Sequence, residues 1–179
     1  MDNLLKWDAN LSASLRLVPT HRGWWKLMVF LAHSGDSWFW LTGLAIVWLI
    51  SKHEWHTKTA ILAIGVIGLA VLVLAIKFMV RRQRPPGEWG AIYRNTDPHS
   101  FPSGHASRAF MLATVALGLG PSWFGILLLI WAPLVCLARV STGVHYLSDV
   151  FAGMFLGILA GWLILGVQSF IPAFLPFIF

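Results

Sequence analysis

Cysteine is almost absent from this sequence, and charged side chains are scarce. The single cysteine, Cys136, excludes an intrachain disulfide and a metal site built from several cysteines, and its place in an apolar run indicates a small buried side chain. Charged residues make up 11% of the 179 residues, whereas hydrophobic residues make up 58%. This balance excludes an ordinary soluble domain and predicts an integral membrane protein.

Acidic residues are also few, 7 against 13 Lys and Arg, which gives a formal net charge of +6. Such a surplus suits an anionic partner: nucleic acid, lipid headgroups or a phosphorylated substrate. Burial in a membrane disfavours nucleic acid. We therefore expect the bilayer and a phosphorylated membrane lipid as partners and no nucleic acid, and nothing in the sequence indicates an obligate protein partner.

Long apolar stretches predict an all-α membrane bundle of about five transmembrane helices. The expected spans cover residues 38–50, 59–76, 104–120, 123–138 and 150–168, with a bend near Pro133 in the fourth. Residues 51–58 are expected to form a polar loop. Residues 81–103, rich in proline and arginine, are expected to form an irregular one.

The N-terminal part is too polar to span a membrane. Residues 4–17 and 23–33 predict two amphipathic helices at the membrane surface. We expect one domain over residues 1–179, with an interfacial N-terminal region (1–35), a transmembrane core (36–168) and a C-terminal tail (169–179). Asp36, which precedes the first span, is interpreted as a helix N-cap in preference to a catalytic acid.

Five crossings have a consequence for the polar segments between them. Each crossing changes the side on which the chain emerges, so the segments after the second and fourth spans share one membrane face with the N-terminus. Ionisable residues this close to a bilayer are functional candidates. The candidates on that face are Lys77, Arg84, Ser103, Gly104, His105, Arg139, His145 and Asp149.

These residue types suit the binding and cleavage of a phosphate ester. Lysine and arginine spread positive charge over phosphate oxygens, and the start of a helix favours anions. His145 and Asp149 are four residues apart, so one helical turn lets the carboxylate orient the imidazole for nucleophilic attack. Taken singly, each has a simpler interpretation: the cations as membrane-edge anchors, the histidines as interfacial polar residues, Asp149 as an N-cap.

Three segments in order resemble the signature of the type 2 phosphatidic acid phosphatases, membrane relatives of the vanadium haloperoxidases and bacterial acid phosphatases. The first runs from Lys77 to Arg84-Pro85. The second is Pro102-Ser103-Gly104-His105, and the third joins Arg139, His145 and Asp149. Their spacing matches that of the family, so the resemblance covers residues 77–149 and, by hydropathy, the flanking spans.

The resemblance implies a role for each candidate residue. His145 would attack phosphorus and form a phosphohistidine, Asp149 would orient it, and His105 would protonate the leaving oxygen and later help to activate water. The phosphate would be bound without a metal or other cofactor. Its ligands would be Lys77, Arg84, Ser103, Gly104 and Arg139.

Two departures from the family pattern are present. The third segment often begins Ser-Arg, whereas here Ala138 precedes Arg139, so one hydroxyl is missing and Ala138 is assigned no role. The commonly described architecture has six spans, whereas this sequence predicts five and an N-terminal amphipathic region. This difference leaves the fold of the first 35 residues open.

The favoured function is a metal-independent lipid phosphatase of cell-envelope lipid metabolism. It would hydrolyse the phosphate or diphosphate headgroup of a lipid such as undecaprenyl diphosphate, phosphatidylglycerophosphate, phosphatidic acid or lipid A phosphate. Two alternatives are a lipid phosphotransferase that uses the same phosphohistidine and a non-catalytic membrane protein that binds anionic lipid.

Two indications of the orientation in the membrane conflict with each other. The positive-inside rule, applied to the surplus of Lys and Arg on the candidate face, places that face in the cytoplasm. Many bacterial members of the family it resembles face outward instead. We expect a multi-pass protein of the cell (inner) membrane with its active site on the outer, periplasmic face.

Overall fold

The computed structural model describes residues 2–17, 22–87, 97–176 and 178, so residues 88–96 of the predicted irregular loop lie outside the described residues. Helices account for the regular structure of these ranges, which confirms the predicted all-α fold. In chain order they are α1 (Asp2–Ser14), α2 (Arg22–Ser34), α3 (Ser37–Ile50), α4 (Glu54–Val80), α5 (Gly104–Leu119), α6 (Ser122–Ser141), α7 (Leu147–Val167) and the single turn α8 (Ile171–Phe174).

Helix α4 starts earlier than expected, and the predicted polar loop over residues 51–58 is wrong for its second half. The helix begins at Glu54, whose negative charge is favourable in a first turn. Lys58, one turn later, places its Nζ 2.9 Å from Glu54 Oε2. The helix ends where Arg81 adopts a left-handed conformation with φ of 52°.

Among the described residues, three helices are long and apolar enough to cross a membrane: α4, α6 and α7. Their outward side chains are apolar and exposed, as at Val71 (66%), Ile130 (60%) and Leu163 (67%), which is the pattern of a lipid-facing surface. Helix α3 is shorter, with 14 residues, and α5 has 16. The chain is therefore an integral membrane helical bundle, while the number of five crossings and the bend at Pro133 stay predictions.

Helix α5 forms the centre of the bundle and lies very close to α7. Three α7 glycines, each one turn apart, face it: a Cβ on Gly157 would lie 2.1 Å from the Ser107 carbonyl oxygen, and one on Gly153 would lie 2.5 Å from that of Ser103. A Cβ on Gly161 would lie 2.6 Å from the Cβ of Thr114. Small residues of this kind let two helix backbones approach inside a membrane.

The close approach of α5 and α7 also fixes how their first turns meet. The Ser103 N–H donates to the Asp149 carbonyl oxygen at 2.9 Å. At the same end, Arg84, just beyond α4, donates to the Val144 carbonyl oxygen at 2.9 Å. The ends of α4 and α6 and the starts of α5 and α7 thus lie together, as the expected topology requires.

The first two helices pack against this same end of the bundle. The Leu147 N–H at the start of α7 donates to Ser12 Oγ of α1 at 2.9 Å, and the Leu17 N–H donates to the Ser141 carbonyl oxygen at 3.0 Å. Helix α2 buries Met28 and Ala32 against Ala138 of α6. The N-terminal region is therefore part of the packed structure around the candidate residues.

Replacement of Gly157 by alanine should destabilise the fold, because its Cβ would meet the α5 backbone. We expect Gly157→Ala to lower the free energy of unfolding by about 1–3 kcal/mol, the usual cost of overpacking. Gly166→Ala in the same helix is the matched control, since nothing lies within 4 Å of the position of its Cβ. Thermal unfolding in detergent measures both, and equal midpoints would contradict the close approach of α5 and α7.

Candidate active site

All eight candidate residues lie at one end of the bundle, and most are buried. Lys77 is in the last turn of α4, Arg139 is in the last turn of α6, and Asp149 is in the first turn of α7. The segment around Ser103 starts α5, and His145 lies between α6 and α7. The buried members are Lys77, Arg84, Ser103, Arg139, His145 and Asp149.

The His145 imidazole is held between a cation and a carboxylate. Its Nε2 lies 3.3 Å from an Arg84 guanidinium nitrogen, and its Nδ1 lies 3.5 Å from Asp149 Oδ2. Because a guanidinium can only donate, this contact requires an unprotonated Nε2. The proton of the neutral ring is then on Nδ1, directed at Asp149, and the Nε2 lone pair faces the cations.

Burial lowers the pKa of His145 well below 6.5, and the positive charges of Arg139, Arg84 and Lys77 lower it further. The imidazole is therefore neutral at physiological pH. A neutral ring with its Nε2 lone pair available is the form of histidine that can act as a nucleophile.

The Asp149 carboxylate is fully buried, accepts two hydrogen bonds and lies close to a third group. Its Oδ2 accepts from the Tyr146 N–H at 2.9 Å and lies near His145, while its Oδ1 accepts from Arg82 at 2.7 Å. Arg82 also contacts Asp8 Oδ2 of α1 at 2.6 Å. Asp149 is the third residue of α7 and accepts from the N–H of Tyr146, so the N-cap is Tyr146 and the N-cap interpretation of Asp149 is wrong. That the carboxylate orients the imidazole stays a prediction, in line with its distance of 3.5 Å from the ring.

The Asp97 carboxylate bridges two of the candidate cations. Its Oδ2 contacts Lys77 Nζ and accepts from Arg84 at 2.8 Å, and Arg84 Nε donates to the Asp97 carbonyl oxygen at 2.7 Å. A carboxylate bound by a lysine and a guanidinium offers its oxygens as a phosphate does. In this structure, Asp97 therefore occupies cation donors that suit a phosphate group.

The start of α5 adds neutral donors to this cluster. Ser103 stands at the N-cap position without making a capping bond, and its buried Oγ has no hydrogen-bond partner among the described residues. Gly104 follows as the first helical residue and lines the adjacent cavity. A helix N-terminus with a spare hydroxyl is a suitable binding site for an anion.

His105 is paired with Asp36, at the turn between α2 and α3. Asp36 Oδ1 lies 2.6 Å from His105 Nε2, and Asp36 Oδ2 lies 3.2 Å from His33 Nδ1. The two histidines hold the pKa of Asp36 at about 2, even though burial alone would raise it. Asp36 does stand at the N-cap position of α3, as predicted, but its side chain makes no capping bond and faces His105 instead.

Two cavities lie along α3. One of about 540 Å³ has a charged end that includes Lys77, Asp97 and His105, and an apolar side formed by Trp38 and by α4 residues such as Leu69. The other, of about 410 Å³, lies toward the far end of α3, is almost wholly apolar and also includes Trp38. Of these two cavities, the first includes candidate residues in its lining, whereas the second does not.

Five charged residues near the site were not predicted from the sequence as site residues. Arg82 lies between two signature residues and could have been suspected from that position. The others lack such a signal, because their places depend on how distant segments pack. They are Asp8, Asp36, Asp97 and Arg108.

The sequence and the fold were compared with known proteins. A family model described as the PAP2 superfamily matches residues 58–171. The chain is 34% identical over 147 residues to an undecaprenyl-diphosphatase of Sulfolobus acidocaldarius, covering 80% of this chain and 70% of that one. It is 32% identical over 134 residues to a decaprenylphosphoryl-5-phosphoribose phosphatase of Mycobacterium tuberculosis, covering 73% of each.

A solved structure shares the fold. The transmembrane PAP2 type phosphatidylglycerolphosphate phosphatase from Bacillus subtilis matches with a TM-score of 0.77 at 24% identity, covering 96% of this chain and 89% of that one. This similarity extends over the N-terminal helices as well as the region that the family model matches.

Removal of the Asp97 charge should strengthen phosphate binding, because an anion in the site must displace this carboxylate. We expect Asp97→Asn to lower the dissociation constant for orthophosphate about three- to tenfold. Titration of the purified protein in detergent measures it, with Glu54→Gln, an exposed carboxylate at the other end of α4, as the control. Weaker binding by Asp97→Asn would mean that Asp97 instead organises the two cations.

Proposed function

Because this chain belongs to the PAP2 superfamily, we propose that it hydrolyses the phosphate or diphosphate headgroup of a membrane lipid through a phosphohistidine intermediate, without a metal ion. Undecaprenyl diphosphate, phosphatidylglycerophosphate and phosphatidic acid are examples of this substrate class. Two relatives with over 30% identity bear the names of an undecaprenyl-diphosphatase and a decaprenylphosphoryl-5-phosphoribose phosphatase, which supports a lipid phosphate as substrate.

The observation that carries this proposal is the position of His145 Nε2. It lies 3.3 Å from Arg84, in a buried cluster of cations, while Asp149 Oδ2 lies 3.5 Å from Nδ1 at the other side of the ring. A phosphate bound by Arg84 would have its phosphorus within reach of this nitrogen. Proximity of this kind makes attack effectively intramolecular.

In the first step, His145 Nε2 attacks the phosphorus and the bond from phosphorus to the lipid oxygen breaks. The donors that receive the phosphate oxygens are Lys77, Arg84, Arg139, Ser103 Oγ and the Gly104 N–H. Donors already fixed where charge develops lower the barrier most, because they need no reorganisation. Asp149 stabilises the positive charge that the imidazole gains.

His105 supplies the proton for the leaving lipid oxygen. The Asp36 carboxylate at 2.6 Å fixes the ring, and the negative charge of a bound phosphate beside it favours the protonated form that donates. Gly35 supports this arrangement, since a Cβ there would lie 3.2 Å from His105 Cδ2. Asp36 acts here as a positioning residue.

In the second step, water attacks the phosphohistidine. The bond from phosphorus to nitrogen breaks, and orthophosphate leaves. His105, deprotonated by the first step, takes a proton from the water and is ready for the next cycle. His145 returns to its neutral form.

Metal independence is supported by the donors at the site. One lysine and two arginines supply the positive charge that metal ions supply in other phosphoryl-transfer enzymes. Within the described ranges, no three His, Cys, Asp or Glu side chains cluster as a metal site would require.

We also propose that the active site faces the outer, periplasmic side of the cell (inner) membrane. The surplus of Lys and Arg at this end argues for the cytoplasm only if those residues act as topology signals. Arg82 is instead engaged by Asp8 and Asp149, and Arg16 donates to the Pro86 carbonyl oxygen at 2.8 Å. Their contacts supply a structural reason for their presence.

Loss of the His145 side chain should abolish phosphate release. We expect the wild-type protein to release phosphate from lipid phosphates in detergent with chelator present, and His145→Ala to lose activity by on the order of 10³-fold or more, because it has no nucleophile. Rapid quenching should trap an acid-labile phosphoenzyme in the wild type alone. His53→Ala, an exposed histidine at the other end of the bundle, is the matched control.

Three results would contradict the proposal. Full activity in His145→Ala would rule out a phosphohistidine at this residue. Loss of wild-type activity on addition of the chelator would rule out metal independence. Phosphate transferred to an added lipid acceptor, in place of free phosphate, would favour a phosphotransferase.

The orientation can be tested with single cysteines. After replacement of Cys136 by alanine, we expect a cysteine at the exposed position Lys6 to react with an impermeant maleimide in intact cells, because α1 packs at the active-site end. A cysteine at Lys52, at the opposite end, should react only after the membrane is permeabilised. The reverse pattern would place the active site in the cytoplasm.

A further inference from the structure

Arg108 is a buried cation beside the proposed active site that belongs to none of the three signature segments. It lines the 540 Å³ cavity together with Lys77, Gly104 and His105, and only 8% of its surface is exposed. Arg108 follows Gly104 by four residues, so it lies on the same face of α5, about 6 Å further along the helix axis. Its Cα is therefore one turn deeper than the start of α5, while its guanidinium lies beside Gly35 at the level of His105.

The Arg108 guanidinium is only partly satisfied. One terminal nitrogen donates to the Gly35 carbonyl oxygen, while Nε, which is buried, has no hydrogen-bond partner among the described residues. The two carboxylates of the cavity are engaged elsewhere: Asp36 by His105 and His33, Asp97 by Lys77 and Arg84. Within the described ranges, no carboxylate lies within ion-pair distance of Arg108.

Asp36 lies near enough to attract the guanidinium without forming an ion pair, while Arg139 repels it. A buried guanidinium with no anion in direct contact is costly, so this position favours an anion from outside the chain. The phosphate bound at the start of α5 does not account for it, because that group already has Lys77, Arg84 and Arg139 as proposed ligands. Arg108 has room for a second anion in the same cavity.

The groups around the cavity indicate what that anion is. Two of the proposed phosphate ligands, Lys77 and Gly104, line it together with His105, which protonates the leaving oxygen. The Arg108 side chain reaches Gly35, which adjoins the His105 ring. Beyond them the cavity is lined by apolar α4 residues, among them Leu69 and Val73. The part of the substrate that follows the leaving oxygen and precedes the lipid tail thus passes Arg108.

We propose that Arg108 binds the inner phosphate of a lipid diphosphate and so makes the diphosphate the preferred substrate; this rests on the lipid phosphatase function proposed above. His145 then attacks the terminal phosphorus, the bond to the bridging oxygen breaks, and the lipid leaves as its monophosphate. Arg108 neutralises the charge that the bridging oxygen and the inner phosphate gain. Water completes the cycle by releasing the terminal group as orthophosphate.

The test compares two substrates that differ only in one phosphate, farnesyl diphosphate and farnesyl phosphate, in detergent. Arg108→Gln keeps a donor for the Gly35 carbonyl oxygen and removes the charge. We expect it to lower kcat/KM for the diphosphate about ten- to a hundredfold, the usual effect of a lost charge-assisted hydrogen bond, and to change kcat/KM for the monophosphate by less than about threefold. Arg108→Lys should recover part of the loss.

Two further measurements separate this role from a structural one. The wild-type protein should bind methylenediphosphonate, a non-hydrolysable diphosphate analogue, more tightly than orthophosphate, and Arg108→Gln should remove that difference. Arg81→Gln, which removes an exposed charge from the same end of the bundle without lining the cavity, should leave both values unchanged.

Each other outcome overturns the inference. Equal losses of kcat/KM on both substrates in Arg108→Gln would mean that Arg108 has only a structural role through its bond to Gly35. Unchanged kinetics would mean that Arg108 does not contact the substrate. A wild-type preference for the monophosphate would contradict the substrate class. If the wild type hydrolyses neither lipid, the proposed function fails, and the comparison of methylenediphosphonate with orthophosphate still decides whether Arg108 binds a second phosphate.

Discussion

The near contact between the backbones of α5 and α7 determines the geometry of the whole site. Gly153 and Gly157 bring the two helices so close that the Ser103 N–H reaches the Asp149 carbonyl oxygen. The start of α5, with its anion donors, is thereby fixed against the carboxylate that orients His145. A wider helix spacing would separate the phosphate-binding segment from the proposed nucleophile, even with every side chain retained.

Charge compensation is the second constraint, because a cluster of cations repels itself strongly where water is excluded. Asp97 bonds to Lys77 and Arg84, and Arg82 is held between Asp149 and Asp8. These pairs let the cations stay close together. A phosphate bound at the proposed site would replace one of these internal anions, so binding would exchange partners that are already arranged and add little unbalanced charge.

Much of this arrangement follows from the sequence, because hydropathy and motif spacing are local properties. The helices near residues 38–50, 59–76, 104–120, 123–138 and 150–168 and the grouping of the eight candidate residues were predictable in this way. Asp8, Asp36 and Asp97 were not, since each acts on a residue more than a dozen positions away. The early start of α4 was missed because Glu54 and Lys58 look like loop residues until they are paired across a turn.

The cavity beside α3 has one wall that is open to the bilayer. Trp38 and Leu74, which line it, are 68% and 52% exposed on the lipid-facing side of the bundle. Under the proposed function, a lipid bound there would keep most of its hydrocarbon chain among its neighbours in the membrane and bring only the headgroup and the adjoining carbons into the protein. Recognition would then be confined to the polar end of the molecule, so lipids with tails of very different length would compete for the protein on nearly equal terms.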